Sequence, residues 1–402
     1  MDLSMFGTHA PGSLVPIHGT DPQLGEWTHS AFLPDALGED SPVLSPETYL
    51  VVMNARGALG ALDATARQLP DPTLLRIPAL RREAQSTSAL EGTYAPLAEV
   101  LTADEDAPST PELVEVLNYV SMANLGFAKI AAGQHLSVTL LGELHELLMR
   151  GTPLQEVSGR VRDRQVVIGR RAGADPFGFP VHAARFVPAP ASPELEMRVR
   201  DLTDWMRQDH SKRIDPVVAA AMAHYQFETL HPFHDGNGRV GRYLIALHLQ
   251  VQGILSEPTL TVSPWFEARR PDYYDRLLGV STLGDWDAYV RFFARGIEVA
   301  ANTTRRQMLA LVQVQERLNQ QLEESALRAQ SAHSLVEFAV ANPSFTVRRA
   351  AAGIGLSYGR ANALIGQLVE LGMLRTVGGR EVYQRRFFAP SVLHVLTQVE
   401  GE

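Results

Sequence analysis

The stretch from His231 to Arg242 reads His-Pro-Phe-His-Asp-Gly-Asn-Gly-Arg-Val-Gly-Arg, and no other segment restricts the fold as tightly. Pro232 and the glycines break any helix that runs through it. Val240, Tyr243, Leu244, Ala246 and Leu247 then recur at helical spacing, so a helix starts near Asn237 or Gly238. Gly236 and Gly238 have no Cβ, so the backbone can turn sharply and approach a ligand closely. A helix N-terminus offers N–H groups and a positive dipole end to an anion. Arg239 and Arg242 are three apart and share a face of the first turn, and their planar forks match phosphate oxygens. Asp235 can hold a hard cation such as Mg2+, and His231 can titrate near neutral pH and serve as a general base. A phosphate ester suits this mixture. Taken singly, each feature has a plainer explanation: a capped turn, paired surface arginines, or a metal cluster of His231, His234 and Asp235. The broken helix disfavours the last, because it cannot align the histidines.

The same twelve residues resemble the signature of the Fic family, H-x-F-x-[D/E]-G-N-G-R-x-x-R, at all eight fixed positions. The resemblance implies transfer of AMP from ATP to a Ser, Thr or Tyr hydroxyl of a protein substrate, the chain itself included. It implies His231 as catalytic base and Asp235 as the Mg2+ ligand. Gly236, Asn237, Gly238, Arg239, Val240, Gly241 and Arg242 would contact ATP, with Arg242 on the γ-phosphate. His234 stands where family members often carry an aliphatic residue.

At 402 residues the chain has room for two or three domains. Its hydrophobic content of 45% and charged content of 20% suit a packed core. A net charge of −9 argues against a nucleic-acid coat. There are no cysteines, so disulfides and cysteine-ligated zinc are excluded. Neither a signal peptide nor a membrane span is visible, and a cytoplasmic protein is the expectation.

Residues 1–45 are rich in Pro, Gly and Ser and read as irregular, with strand fragments at most. Helical periodicity begins at Pro46, and a second helix is expected over Leu74 to Leu90. Its end, Thr87-Ser88-Ala89-Leu90-Glu91-Gly92, resembles the family's inhibitory motif, [S/T]-x-x-x-E-[G/N]. The resemblance implies that Glu91 opposes productive ATP binding by engaging Arg242, with Thr87 in support. Gly92 alone would read as an ordinary helix stop, but a glutamate in the last turn opposes the helix dipole and calls for a cation elsewhere.

Thr110 reads as an N-cap with Pro111 at the first helical position, and helices are expected over 111–130, 137–150, 193–209 and 214–230. Between them, Arg160 to Gly169 is basic with strand character. It resembles the family's β-hairpin flap, which places Val166, Val167, Ile168 and Gly169 over the nucleotide and holds a target segment by strand addition. Tyr273 and Tyr274 resemble a pair bordering the nucleobase in family members; two core or interface tyrosines are the equal alternative.

Residues 285–329 read as long helices with apolar positions at Leu311, Val314, Leu318 and Leu322: a connector, or a surface for a homodimer. The last segment runs helix, short helix, a Ser357-capped helix with the stripe Ala361, Leu364, Ile365 and Leu368, then two strands around Gly378-Gly379. This order resembles a winged helix-turn-helix. DNA would meet Tyr358, Arg360, Arg380, Arg385 and Arg386. Seven arginines against five glutamates over 331–402 give only +2, so a protein-contact module stands equally.

The fold expected is mainly α: a Fic helical core with a β-hairpin flap, an N-terminal helical regulatory region and a C-terminal winged helix-turn-helix. The division is 1–100, 101–300 for the catalytic domain, 301–330 for the connector and 331–402. Removal of AMP or another phosphate transfer at the same site, and a DNA-binding regulator with a Fic sensor, are the alternatives. The intact Gly-Asn-Gly and second arginine favour AMP transfer over a kinase-like use.

Overall fold

A computed structural model describes residues 1–68, 76–103, 108–377 and 385–398. The described chain is mainly helical. It opens with strands β1 (Gly12–Asp21) and β2 (Gly25–Pro34). Helices α1 (Pro46–Gln68), α2 (Arg76–Leu90), α3 (Leu97–Thr102), α4 (Pro111–Ala131) and α5 (Val138–Leu148) follow. Next come β3 (Ile168–Arg170), α6 (Pro180–Ala183), β4 (Ala184–Phe186), α7 (Pro193–Arg207), α8 (Pro216–Leu230) and α9 (Asn237–Val251). The remainder is α10 (Ser263–Ala268), α11 (Arg270–Leu283), α12 (Trp286–Glu324), α13 (Gln330–Ala341), β5 (Phe345–Thr346), α14 (Val347–Gly353), α15 (Tyr358–Glu370), β6 (Arg375–Val377), β7 (Arg386–Phe388) and α16 (Pro390–Thr397). None of the described helices is long and apolar enough to cross a membrane.

The chain divides into two compact units. The first takes Met1–Leu59, Ser121–Leu255 and Trp265–Val299. Its centre is the antiparallel pair α8 and α9. Asp215 caps α8 by accepting from the Val217 N–H at 2.8 Å, and Pro216 fills the first helical position. Almost every α8 residue is buried, Phe227 and Tyr225 among them, as expected of a central helix. Close approach of the helices in this unit depends on missing side chains. A Cβ on Gly126 would lie 2.0 Å from the Tyr243 hydroxyl, and one on Gly241 would lie 2.3 Å from Glu228 Oε1. His224 ties three helices together. Its Nδ1–H donates to the Gly241 carbonyl at 3.0 Å and its Nε2 accepts from the Tyr273 hydroxyl at 2.8 Å.

The N-terminal forty-odd residues differ from the irregular segment expected. β1 and β2 pair over their full length, from Gly12 opposite Pro34 to Asp21 opposite Gly25. Asp21 closes the turn by accepting from the N–H groups of Gln23 and Leu24 at 2.8 and 3.0 Å. Pro16 is tolerated inside β1 because a two-stranded sheet consists of edges. Phe32 and Ala31 pack with Val181, Phe186 and Val187 in a small core of their own.

The second unit takes Gly60–Val120, Ser256–Pro264 and Ala300–Glu402. Arg81, only 1% exposed, crosses from α2 to donate to the carbonyls of Val100, Leu101 and Ala103. The α12 stripe of Leu311, Val314, Leu318 and Leu322 is buried, as its spacing predicts. In the C-terminal part Ser357 caps α15 and Ala361, Leu364, Ile365 and Leu368 form its buried face. The three strands pair antiparallel in the order β5-β7-β6. Gly378-Gly379 and Arg380 lie outside the described residues. Arg386, expected to face DNA, is instead 9% exposed and donates from Nε to Ser344 Oγ at 2.7 Å. A guanidinium bound inside the fold is not presented to a phosphate backbone.

Candidate active site

The twelve-residue stretch joins α8 to α9. His231 follows the last residue of α8 with φ 51° and ψ 59°, and it is the only non-glycine with positive φ among the described residues. Such a conformation is costly for a side chain and marks a position that its surroundings over-determine. Its N–H still donates to the Phe227 carbonyl at 2.9 Å, and Nδ1 lies 3.2 Å from the Glu228 carbonyl. A carbonyl only accepts, so this contact assigns the proton of the neutral ring to Nδ1 and makes Nε2 the basic nitrogen.

Past Pro232 the loop closes on itself. The Asn237 side chain accepts from the Phe233 N–H at 2.8 Å and donates to the Phe233 carbonyl at 2.9 Å. Gly236, at φ 74°, occupies the N-cap of α9. A Cβ there would meet Leu148 and Met149 at 3.2 Å, so the turn needs glycine for space as well as for conformation. The first N–H groups of α9 have no carbonyl within the helix to bond, the usual basis of an anion nest. Arg239 and Arg242 are both buried. Arg239 lies 3.5 Å from Asp235, whose side chain is half-exposed. His234 is partly buried 3.3 Å from Asp163, so its polar ring sits at the loop surface rather than beneath it.

Two residues that the sequence reading missed hold this loop from below. His145 on α5 is buried and stacks flat on Phe233, with ring centroids 3.8 Å apart. Its Nδ1 accepts from the Gly159 N–H and its Nε2–H donates to the Asp235 carbonyl, both at 3.0 Å. Burial pushes its pKa down to about 4, so the ring is neutral and its tautomer is set. Arg162, read as part of the basic flap segment, is 2% exposed. Its Nε donates to the His231 carbonyl at 2.8 Å and its own N–H to the Pro232 carbonyl at 2.8 Å. Burial lowers its pKa to about 10, which leaves it charged at neutral pH.

An antiparallel strand pair lies where the flap was expected, with a shorter first strand. Strand character was expected from Arg160 to Gly169, yet the strand runs only over Ile168–Arg170 and pairs with Ala184–Phe186. Upstream, Arg162 and the Gln165 side chain, which donates to the carbonyls of Val166 and Pro188, occupy the polar groups in irregular bonds. Val167 and Ile168 pack against the small core of Phe32 and Phe186, and Gly169 has φ 59°.

Other residues assigned to the site differ in exposure. Tyr273 is 1% exposed and stacks on Phe266 at 4.6 Å, so its ring belongs to the core and has no face left for a nucleobase. Tyr274 is partly exposed, with the Arg270 guanidinium 5.9 Å above its ring. Val240 is fully buried and Gly241 is a helix-packing glycine, so neither presents a side chain to a ligand. In the second unit, α2 ends at Leu90 and a tight turn follows: the Glu91 and Gly92 N–H groups donate to Ser88 and Ala89 at 3.0 and 3.1 Å. Thr87 is buried and Glu91 exposed.

Residues 135–249 match the Fic/DOC family, and residues 50–128 match the Fic/DOC family N-terminal region. Over those two stretches the chain is similar to the Fic/DOC family. Protein adenylyltransferase fic-1 of Caenorhabditis elegans is 31% identical over 166 residues, covering 41% of this chain and 28% of that protein. Protein adenylyltransferase Fic of Nematostella vectensis is 29% identical over 187 residues, covering 46% of this chain and 37% of that one. The chain therefore matches well under half the length of either relative. A solved Fic family protein from Desulfovibrio desulfuricans G20 superposes with a TM-score of 0.54 at 22% identity, over 87% of this chain and 98% of that one. Fic-1 of C. elegans superposes at 0.51 and 22% identity, over 67% and 74%. The Fic fold thus extends well beyond the signature, and the loop from His231 to Arg242 lies within the matched Fic/DOC domain.

Proposed function

We propose that this chain transfers AMP from ATP to a Ser, Thr or Tyr hydroxyl of a protein, itself included. The observation that carries the reading is the His231 ring beside a glycine turn that opens a helix with two buried arginines. The phosphates of ATP lie along the first turn of α9, held by the backbone of Gly236, Asn237 and Gly238 and by Arg239, with Arg242 on the γ-phosphate. His231 Nε2 takes the hydroxyl proton as that oxygen bonds to the α-phosphorus. The bond from the α-phosphorus to the bridging oxygen breaks, and pyrophosphate leaves. Positioning and fixed positive charge supply most of the rate.

Asp235 suits Mg2+ as a single half-exposed carboxylate beside the nest, since that ion takes one or two carboxylates and completes its shell with phosphates and water. Bound there, Mg2+ would neutralise phosphate charge. The similarity to proteins named adenylyltransferase supports AMP transfer over removal of AMP. Val166 to Gly169 and Tyr274 remain the proposed edge of the nucleotide pocket. Glu91, supported by Thr87, is assigned an inhibitory role that acts through Arg242. By function the chain divides into a regulatory part (1–100), the catalytic domain (101–300), a connector (301–330) and a winged helix-turn-helix (331–402). The buried Arg386 favours protein contact over DNA for that last part.

The experiment is transfer of label to protein from ATP carrying the label on the α- or the γ-phosphate. Label from the α position alone supports the reading. Label from the γ position would make the chain a kinase, and label from neither overturns the proposal.

A further inference from the structure

We infer that Arg162 is a positioning residue for His231: its guanidinium fixes the left-handed backbone from which the His231 ring projects. This rests on the AMP-transfer reading of the same site. Arg162 is buried at the start of the irregular segment that leads to β3. Every donor bond recorded for its side chain goes to a main-chain carbonyl. Nε donates to His231 at 2.8 Å, one terminal nitrogen to Arg164 at 3.1 Å, and the other to Ala189 and, at 3.5 Å, to Leu230. Its own backbone N–H donates to the Pro232 carbonyl at 2.8 Å. Three consecutive carbonyls, those of Leu230, His231 and Pro232, are thus held by one residue across the helix-to-loop junction.

That junction is where the chain adopts its only positive-φ non-glycine among the described residues. The carbonyls freed at the end of a helix are normally met by water or by a glycine-containing cap. Here a histidine stands where glycine would be easiest, and a buried guanidinium meets the carbonyls instead. A planar fork can serve several carbonyls at set angles; a lysine ammonium on a flexible stem cannot. The arginine contacts the entry to the loop, whereas the nest for phosphates lies beyond Gly236. Disturbing Arg162 should therefore move the base while leaving the nest in place.

The test compares wild type with Arg162→Lys and Arg162→Gln in the full chain. ATP affinity is measured by calorimetry, transfer by α-label turnover, and the histidine ring signals by NMR of histidine-labelled protein, with His231→Ala identifying the His231 signal. The expected result for Arg162→Lys is ATP affinity within about threefold and turnover lowered about 10²-fold, the scale of a misplacement near 1 Å. The His231 ring signal moves and that of His224 does not. Turnover within threefold of wild type overturns the inference. So does an unmoved His231 signal, a parallel fall of ATP affinity and turnover, or failure of both variants to fold. If wild type transfers no AMP, the functional reading fails by itself, and Arg162 is judged on the NMR signals alone.

Discussion

Asn237 offers the sharpest energetic test of how the loop holds its shape. The family resemblance implies a nucleotide contact here; in the structure its 2%-exposed side chain bonds both polar groups of Phe233. Asn237→Ala removes both bonds. Each is worth about 1 kcal/mol net, and each stranded buried group costs about 1–3 kcal/mol. Water can reach the loop beside the half-exposed Asp235, which favours the lower end, about 2–4 kcal/mol in all. At about 1.4 kcal/mol per decade, local opening of the loop becomes roughly 30- to 10³-fold more frequent. Hydrogen exchange of the Phe233 amide reads this directly. Asn237→Asp keeps an acceptor for the Phe233 N–H and loses the donor to its carbonyl, so its exchange should fall between wild type and Asn237→Ala. Exchange at Phe233 that is unchanged in Asn237→Ala would refute the claim that this side chain closes the loop.

Three other outcomes are expected. His224 and His248 are buried, and burial lowers their pKa values from 6.5 to about 3 and about 4. The unfolded chain therefore binds protons below pH 6.5 that the native chain refuses, so stability present above that pH is lost as pH falls toward 4 and 3. At pH 5 the loss is about 2 kcal/mol for each histidine; urea unfolding at pH 7.5 and 5 should show it, and equal stability at both would contradict it. Glu91→Gly should raise AMP transfer severalfold or more, most visibly as self-modification, and Arg242→Ala in that background should abolish the gain. A single variant no faster than wild type removes the inhibitory role, while a double variant as fast as the single removes the role given to Arg242. Activity should need a divalent ion and fall in Asp235→Ala; full activity in excess chelator would exclude Mg2+.

Much of the helical framework was legible because apolar spacing and end chemistry agree. Thr110, Asp215 and Ser357 accept the N-terminal hydrogen bonds that their residue types announce. The loop of the candidate site was legible for a different reason: its twelve residues resemble a known signature, and Gly236 takes a positive φ that glycine adopts most easily. The supports beneath it were not. His145 sits in an apolar stripe with Leu141, Leu144 and Leu148, where a histidine reads only as a core residue. Nothing local separates Arg162 from the exposed Arg160 and Arg164; its burial follows from carbonyls nearly 70 residues away. The β1–β2 hairpin was obscured by its Pro and Gly content, although Asp21 to Gly25 carries turn chemistry. Tyr273 shows the converse risk, since an aromatic pair at a plausible place proves half core.

The central claim is that His231 accepts the hydroxyl proton during transfer of AMP, and the direct measurement is α-label transfer beside ATP binding for His231→Ala. The account predicts ATP affinity within a few-fold of wild type and transfer lowered by about 10²–10⁴-fold, the usual contribution of a positioned base. Transfer within tenfold of wild type would contradict it.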